Sequence, residues 1–180
     1  MRCFVGLDLP HDLKSRLSGF MEGFGAGRVV AGDNLHVTLA FLDDQKEDTL
    51  EELHDNLSTL QLPQFCVQID GFGAFGGQHP RIFYAAVTPS EPLLALHKSV
   101  RASARAAGID LPHERFVPHV TLARFRRTDA DAALPAIAAR VGVPLRVEFR
   151  AIAFTLFASN LAPEGPRYDT LATYPLKAID

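Results

Sequence analysis

The pentapeptide HVTLA stands at residues 36–40 and again at residues 119–123. The probability that five identical residues recur by chance within such a chain is roughly one per cent, and self-similarity at a fixed offset indicates a repeated architecture. The second copy follows the first by 83 residues, close to half of the 180-residue chain, and each copy comes after a predicted helix and loop. The repeat therefore predicts two related halves that face each other across a pseudo-two-fold axis.

Strand periodicity gives each copy two chemically different faces, because successive side chains on a strand point to opposite sides. One face carries a histidine, a threonine and an alanine in each copy: His36, Thr38, Ala40, His119, Thr121 and Ala123. The opposite face carries the large aliphatic side chains that a core needs. If the two polar faces lie opposite each other, they form a groove floored by two imidazoles and two hydroxyls.

This set of side chains suits phosphoryl chemistry. The reference pKa of histidine is about 6.5, so His36 and His119 can serve as one general acid and one general base near neutral pH. The hydroxyls of Thr38 and Thr121 can donate hydrogen bonds to non-bridging phosphate oxygens. Neither histidine has an Asp, Glu or Cys at a ligand spacing, and zinc usually needs three or four protein ligands. We therefore expect a site without metal or cofactor. The other five histidines show no comparable pattern.

The composition limits the classes of function. The chain has 18 lysines and arginines against 21 aspartates and glutamates, a net charge of −3. Proteins that coat nucleic acid usually carry a basic excess, so any RNA recognition should be local, at one end or one phosphate. Cys3 and Cys66 lie in apolar runs, which favours two buried thiols in a reducing compartment. No signal peptide or transmembrane stretch is evident. We expect a cytoplasmic monomer with a single domain at residues 1–180.

Hydrophobic periodicity and turn residues predict an α+β fold. The predicted strands lie at residues 2–9, 35–42, 65–75, 81–88, 116–125, 145–149, 153–159 and 168–176, and the predicted helices at residues 11–24, 46–60, 91–107 and 131–141. The order contains hairpins and no long βαβ series. It therefore favours antiparallel sheets over a doubly wound parallel sheet.

The motifs and their flanking stretches resemble the 2H phosphoesterase superfamily, and within it the RNA 2′,3′-cyclic phosphodiesterases, historically called 2′-5′ RNA ligases. The resemblance is carried by FVGLDLP at 4–10, NLHVTLAFL at 34–42, RFVPHVTLAR at 115–124 and FTLFASNLAPEGPRYDTLATYPL at 154–176. It implies a bilobed fold of two intertwined lobes, with two antiparallel sheets related by a pseudo-two-fold axis, helices packed outside and a central groove. It also implies metal-independent hydrolysis of a 2′,3′-cyclic phosphate at an RNA end to a 2′-phosphate, with weak reversible 2′-5′ ligation in some members.

The resemblance further implies a role for individual residues. His36 corresponds to the proton donor to the leaving 3′ oxygen, and His119 to the proton acceptor that activates water. Thr38 and Thr121 correspond to the phosphate-binding hydroxyls. The family commonly has an arginine five positions after the second histidine, and Arg124 matches it.

Three further positions depend on the local strand geometry. Strict alternation places Arg124 on the core face, although a bulge could turn it toward the groove and the bound phosphate. Phe41 holds the matching position in the first copy, on the core face, and Phe125 lies on the His119 face. Either phenylalanine is a candidate for stacking on a base, with core packing as the alternative.

Two other functions remain open on the sequence. One keeps the mechanism but acts on a small cyclic nucleotide or an ADP-ribose cyclic phosphate. The other is a non-catalytic module that binds RNA or a nucleotide. The presence of both histidines and both threonines argues against a non-catalytic module. The residues alone do not separate RNA from a small nucleotide.

Overall fold

The computed structural model describes residues 1–113, 115–162 and 165–178. Within these ranges the strands are β1 (Arg2–Asp8), β2 (Arg28–Val29), β3 (His36–Asp44), β4 (Phe65–Phe75), β5 (Ile82–Val87), β6 (His119–Arg124), β7 (Arg146–Ala151), β8 (Ala153–Ala162) and β9 (Gly165–Pro175). The helices are α1 (His11–Phe20), α2 (Glu47–Ser58), α3 (Glu91–Ala106) and α4 (Ala130–Val141). The predicted α+β class is confirmed.

The strands form one antiparallel sheet in the order β7-β4-β5-β6-β3-β1-β8-β9, with β2 paired to β6. The two predicted sheets are the two halves of this sheet, and they are joined where β3 pairs with β6 at Val37 and Val120. Joining them satisfies backbone groups that two inner edges would otherwise leave open. The two valines hold the same position in the two copies of HVTLA. A local two-fold axis therefore passes between them.

The two halves draw on different parts of the chain. The half that contains His119 uses β4 to β7, which follow one another in sequence, and adds only the two-residue strand β2 from earlier in the chain. The half that contains His36 combines the early strands β1 and β3 with the last strands, β8 and β9, and β8 pairs directly with β1. The half with His36 is therefore complete only when the last strands are in place.

Helices cover the face of the sheet opposite the groove. α3 packs on β3 and on α2, and α4 packs on β4. Phe20, at the end of α1, stacks on Phe72 of β4 with 4.2 Å between ring centroids. Aliphatic residues spaced along one helix face are buried against the sheet, among them Leu17 and Leu96. In the described part of the chain, no helix combines the length and apolar character needed to cross a membrane.

The two cysteines differ in exposure. Cys3 is buried in β1, as expected, but Cys66 is exposed on β4. Its neighbours Phe65 and Val67 point into the core, so alternation along the strand turns the Cys66 thiol outward. The prediction that both thiols are buried is therefore wrong for Cys66.

Candidate active site

Each copy of HVTLA contains a β-bulge at its fourth residue. The register of β3 against β1 skips Leu39, and the register of β6 against β5 skips Leu122. One extra residue reverses the alternation beyond it. Ala40 and Ala123 are therefore buried in the core, at 3% and 0% exposure. The prediction that these alanines share the histidine face is wrong, because strict alternation contains no information about an extra residue.

The same reversal decides where the next side chains point. Phe41 and Arg124 turn to the groove face, where Phe41 is 56% exposed and Arg124 is also exposed. Phe125 turns into the core, with its ring centroid 6.2 Å from that of Phe24. The predicted positions of Phe41 on the core face and Phe125 on the His119 face are therefore wrong. Of these two rings, only Phe41 is exposed to a base, and Arg124 faces the groove.

Both bulges are stabilised by a hydrogen bond to the carbonyl of the extra residue. The carbonyl of Leu39 accepts from Nδ1 of His97 at 2.8 Å, and that of Leu122 accepts from the backbone N–H of Val30 at 2.8 Å. The His97 ring also stacks on Phe116, with 3.7 Å between centroids. His97 thus supports the groove, a role that its position on a predicted helix did not reveal.

The two motif histidines lie on one face of the sheet, on either side of the two-fold axis. His36 and His119 each precede one of the paired valines, so they are diagonal neighbours across β3 and β6. Diagonal neighbours on an antiparallel pair lie about 7–8 Å apart, and their Cβ atoms lie somewhat closer. His119 and Arg124 are both close enough to His36 to lower its pKa. The sheet therefore brings the predicted pair into one groove, with a gap that suits a phosphate.

Each histidine is held by a carbonyl two residues earlier. Nδ1 of His36 donates to the carbonyl of Asn34 at 2.7 Å, and Nδ1 of His119 donates to that of Val117 at 2.7 Å. A carbonyl can only accept, so the hydrogen of each neutral ring is on Nδ1 and Nε2 is the acceptor. In His36 this Nε2 receives the hydroxyl hydrogen of Thr38 at 3.0 Å. In both rings Nε2 is therefore the nitrogen that can take up a proton.

Burial lowers the pKa of His36 from its ordinary value to about 4. The next largest effects are the hydrogen bond to the Asn34 carbonyl, which raises this pKa, and the Arg124 guanidinium, which lowers it. Smaller effects come from Asp8, which raises the pKa, and from His119, which lowers it. The pKa of His119 is lowered as well, first by burial and then by Arg124, against the carbonyl of Val117. Without an anion, both imidazoles are therefore neutral at pH 7.

Four aromatic rings surround the two histidines at 4.5–5.3 Å between centroids: Phe4 and Tyr168 at His36, and Phe75 and Tyr84 at His119. The sequence patterns predicted none of the four. They belong to β1, β9, β4 and β5, and a sequence motif does not identify which strands lie beside its own. Only the register of the neighbouring strands could have found them.

Two clefts open from the groove. The smaller, of about 280 Å³, lies on the His119 side; its lining includes Thr38, Phe41, His97, Arg101, Phe116 and His119. The larger, of about 620 Å³, lies over β1, β3 and the β8–β9 hairpin; its lining includes Arg2, Phe4, Arg28, Asn34, Phe41, Arg124 and Tyr168. Phe41 borders both clefts. Within the described ranges, no group of three or more His, Cys, Asp or Glu could hold a metal ion.

Both the sequence and the fold of this chain are similar to those of known proteins. Residues 13–159 match the family model described as the 2′-5′ RNA ligase superfamily. The RNA 2′,3′-cyclic phosphodiesterase of Thermus thermophilus is 31% identical over 98% of this chain and 91% of its own length. That of Thermotoga maritima is 29% identical over 95% of this chain and 93% of its own length. The crystal structure of E. coli LigT complexed with 3′-AMP has a TM-score of 0.82 and 27% identity, covering 97% of each chain.

Proposed function

Because this chain belongs to the 2′-5′ RNA ligase superfamily, we propose that it hydrolyses the 2′,3′-cyclic phosphate at an RNA 3′ end to a 2′-phosphate. The observation that carries the proposal is the symmetric pair of histidines. His36 and His119 share one face of the sheet, use the same tautomer and lie beside one guanidinium. Two imidazoles in that arrangement can give and take protons on opposite sides of one phosphorus.

In this mechanism, the cyclic phosphate lies between the two Nε2 atoms. Its negative charge is balanced by Arg124 and by hydrogen bonds from Thr38 and Thr121. The same charge favours the imidazolium form and raises the pKa of the histidines, against the lowering caused by burial. The bound anion thus supplies the condition under which His36 carries a proton at neutral pH.

The chemical step exchanges one phosphorus–oxygen bond for another without a metal. Nε2 of His119 takes a proton from water while the water oxygen bonds to phosphorus. The bond from phosphorus to the 3′ oxygen breaks, and His36 gives its Nε2 proton to that oxygen. The products are a 2′-phosphate and a 3′-hydroxyl, and both histidines return to their starting states by exchange with solvent.

The different roles of the two histidines also determine which cleft holds the RNA. The 3′ oxygen must leave beside His36, so the ribose and the attached chain lie on that side, in the cleft of about 620 Å³. Phe41 and Tyr168 line that cleft and offer rings for base stacking. Water approaches from the cleft of about 280 Å³ beside His119. A 5′-hydroxyl that entered there in place of water would attack the same phosphorus, with the same 3′ oxygen leaving, and would give weak 2′-5′ ligation.

A second candidate has the same mechanism with a small substrate, a cyclic mononucleotide or an ADP-ribose cyclic phosphate. The volume of the larger cleft supports it, because a cleft of about 620 Å³ is of the size that holds one small ligand. A panel of a 2′,3′-cyclic-ended oligonucleotide, cyclic mononucleotides and an ADP-ribose cyclic phosphate separates the two. The RNA proposal requires the highest kcat/KM on the oligonucleotide.

The two-histidine mechanism is tested by single-turnover hydrolysis of a cyclic-ended oligonucleotide. We expect His36→Ala and His119→Ala to lose at least ~10²-fold each, the usual scale for a positioned acid or base. The double variant should be little worse than the poorer single variant, because the two act as a unit. Thr38→Ala and Thr121→Ala should lose less, since each removes one hydrogen bond worth about 1.5–3 kcal/mol to a charged group.

Circular dichroism controls for folding in this series, and wild-type activity should survive EDTA. A folded His119→Ala enzyme with near wild-type rates would rule out the mechanism. So would activity that chelation abolishes and a divalent ion restores.

A further inference from the structure

The two halves differ at the residue that holds each histidine. Asn34 and Val117 stand two positions before His36 and His119, so they are equivalent under the two-fold axis. Both use the backbone carbonyl to accept the histidine Nδ1–H. The Asn34 side chain also donates from Nδ2 to the carbonyl of Pro166 at 2.5 Å. The Val117 side chain is apolar and 42% exposed, and it can make no such bond.

Pro166 belongs to the β8–β9 hairpin, which touches His36 a second time. Tyr168 on the same strand meets the His36 ring edge-on, with 5.3 Å between centroids. Tyr168 also packs on Phe4, which lies 4.8 Å away and itself contacts His36 at 4.5 Å. The hairpin therefore reaches His36 through a ring contact and through the backbone of Asn34.

We propose that Asn34 is a positioning residue that fixes the His36 ring by tying the turn before β3 to the β8–β9 hairpin. The inference rests on the proposed role of His36 as proton donor. Asn34 ends a short 3₁₀ turn, Gly32–Asn34, outside the sheet. A turn without ladder hydrogen bonds opens easily unless a side chain holds it. The bond to Pro166 joins residues 132 positions apart in sequence and supplies that hold, together with the bond from Lys14 Nζ to the carbonyl of Asp33 at 3.2 Å.

A fixed ring matters more for a proton donor than for a structural histidine. Nε2–H must point at one oxygen in the transition state, and a small misplacement lowers the rate steeply. The direction of Nε2 follows from the direction of the Nδ1–H bond to Asn34. Loosening that carbonyl should lower kcat more than it raises KM, because Asn34 borders the cleft for the ribose but is not one of the groups proposed to bind the phosphate.

The main variant is Asn34→Val, which gives the first half the residue of the second. We expect kcat to fall about tenfold on a cyclic-ended oligonucleotide, the loss that corresponds to roughly 1.4 kcal/mol, with KM within about twofold. The near-isosteric Asn34→Leu also lacks the donor, adds no charge beside His36, and should show the same loss. The matched control is Asn56→Val, which removes a side-chain amide bond to the carbonyl of Ser103 between α2 and α3. It should lower the Tm and leave kcat unchanged.

A second readout needs no catalysis. In ¹⁵N NMR of the unliganded protein, the Nδ1–H of His36 should exchange with water faster in Asn34→Val than in wild type, with its pH titration shifted. Asp8, Arg124 and His119, the charged and titratable groups acting on His36, stay unchanged in the variant. The Nδ1–H of His119 should be unaffected.

The outcomes separate the two claims. If wild-type protein leaves cyclic-ended RNA intact, the proposed function fails, and the NMR comparison still decides whether Asn34 positions His36. If wild type is active while both Asn34 variants keep the wild-type kcat and His36 exchange rate, the positioning role is wrong. It is also wrong if Asn34→Val and Asn56→Val lose activity equally, since the loss would then be general destabilisation.

Discussion

His36 shows at the scale of one residue how the site depends on its ligand. Burial lowers its pKa to about 4, yet the proposed reaction needs it protonated near neutral pH. The unfolded chain has a histidine pKa of about 6.5. Between these values the unfolded state binds more protons, so the folded state loses stability as the pH falls through that window. The groove thus favours neutral imidazoles until an anion enters.

We therefore expect NMR titration of the free protein to place the pKa of His36 at about 4. Saturation with a nucleoside 2′-phosphate should raise it, because the ligand charge stabilises the imidazolium. By linkage, the affinity for this ligand should increase as the pH falls from the bound toward the free pKa. His54, which bonds to the hydroxyl of Tyr174 away from the groove, is the internal control. An unshifted His36 would contradict the placement of the phosphate.

At the scale of the strand, the sequence predicted the elements well and the facing of side chains less well. Periodicity located the strands that bear both motifs, and the repeat located their symmetry. Periodicity did not locate the bulges at Leu39 and Leu122, because a bulge depends on the register of the partner strand. For this reason alternation alone left Arg124 undecided and misplaced Phe125. Likewise, Tyr168 is far from both motifs in sequence and reaches His36 only through the hairpin.

The bulge in β3 can be tested through His97. In His97→Phe, the stack on Phe116 is retained, but the carbonyl of Leu39 loses its donor. An unsatisfied buried acceptor costs about 1–3 kcal/mol, so denaturant unfolding should show a loss of that size. Because Thr38 and Phe41 flank the bulge, KM for a cyclic-ended oligonucleotide should also rise. His54→Phe breaks a bond remote from the groove and should lower stability while leaving KM as in wild type. Equal KM values in the two variants would show that the bulge does not affect substrate binding.

At the scale of the whole molecule, charge limits how much RNA the protein can hold. The net charge is −3, and the larger cleft, lined by Arg2, Arg28 and Arg124, is of a size that takes one small ligand. Single-stranded RNA bound along a basic surface would instead show an affinity that grows with length. Recognition should therefore end within the last few nucleotides.

This predicts a weak salt dependence of binding. If roughly two phosphates are neutralised, the plot of log K against log salt should have a slope of about −1.4 for a single strand. Cyclic-ended RNAs of three and twenty nucleotides should show KM values within about threefold of each other. Measuring both at several salt concentrations with the wild-type enzyme is sufficient. A steep slope, or a large gain in affinity with RNA length, would indicate an extended RNA-binding surface outside the groove.

The pairing of β8 with β1 has a consequence for biosynthesis. A ribosome delivers β1 first, but its outer edge stays open until β8 has left the exit tunnel. The strands β4 to β7 emerge together and can close earlier, so the half with His119 should acquire protease resistance before the half with His36. Long-range pairings of this kind slow folding, and open strand edges invite aggregation. A nascent chain stalled before residue 153 is thus the stage at which this protein most needs a chaperone.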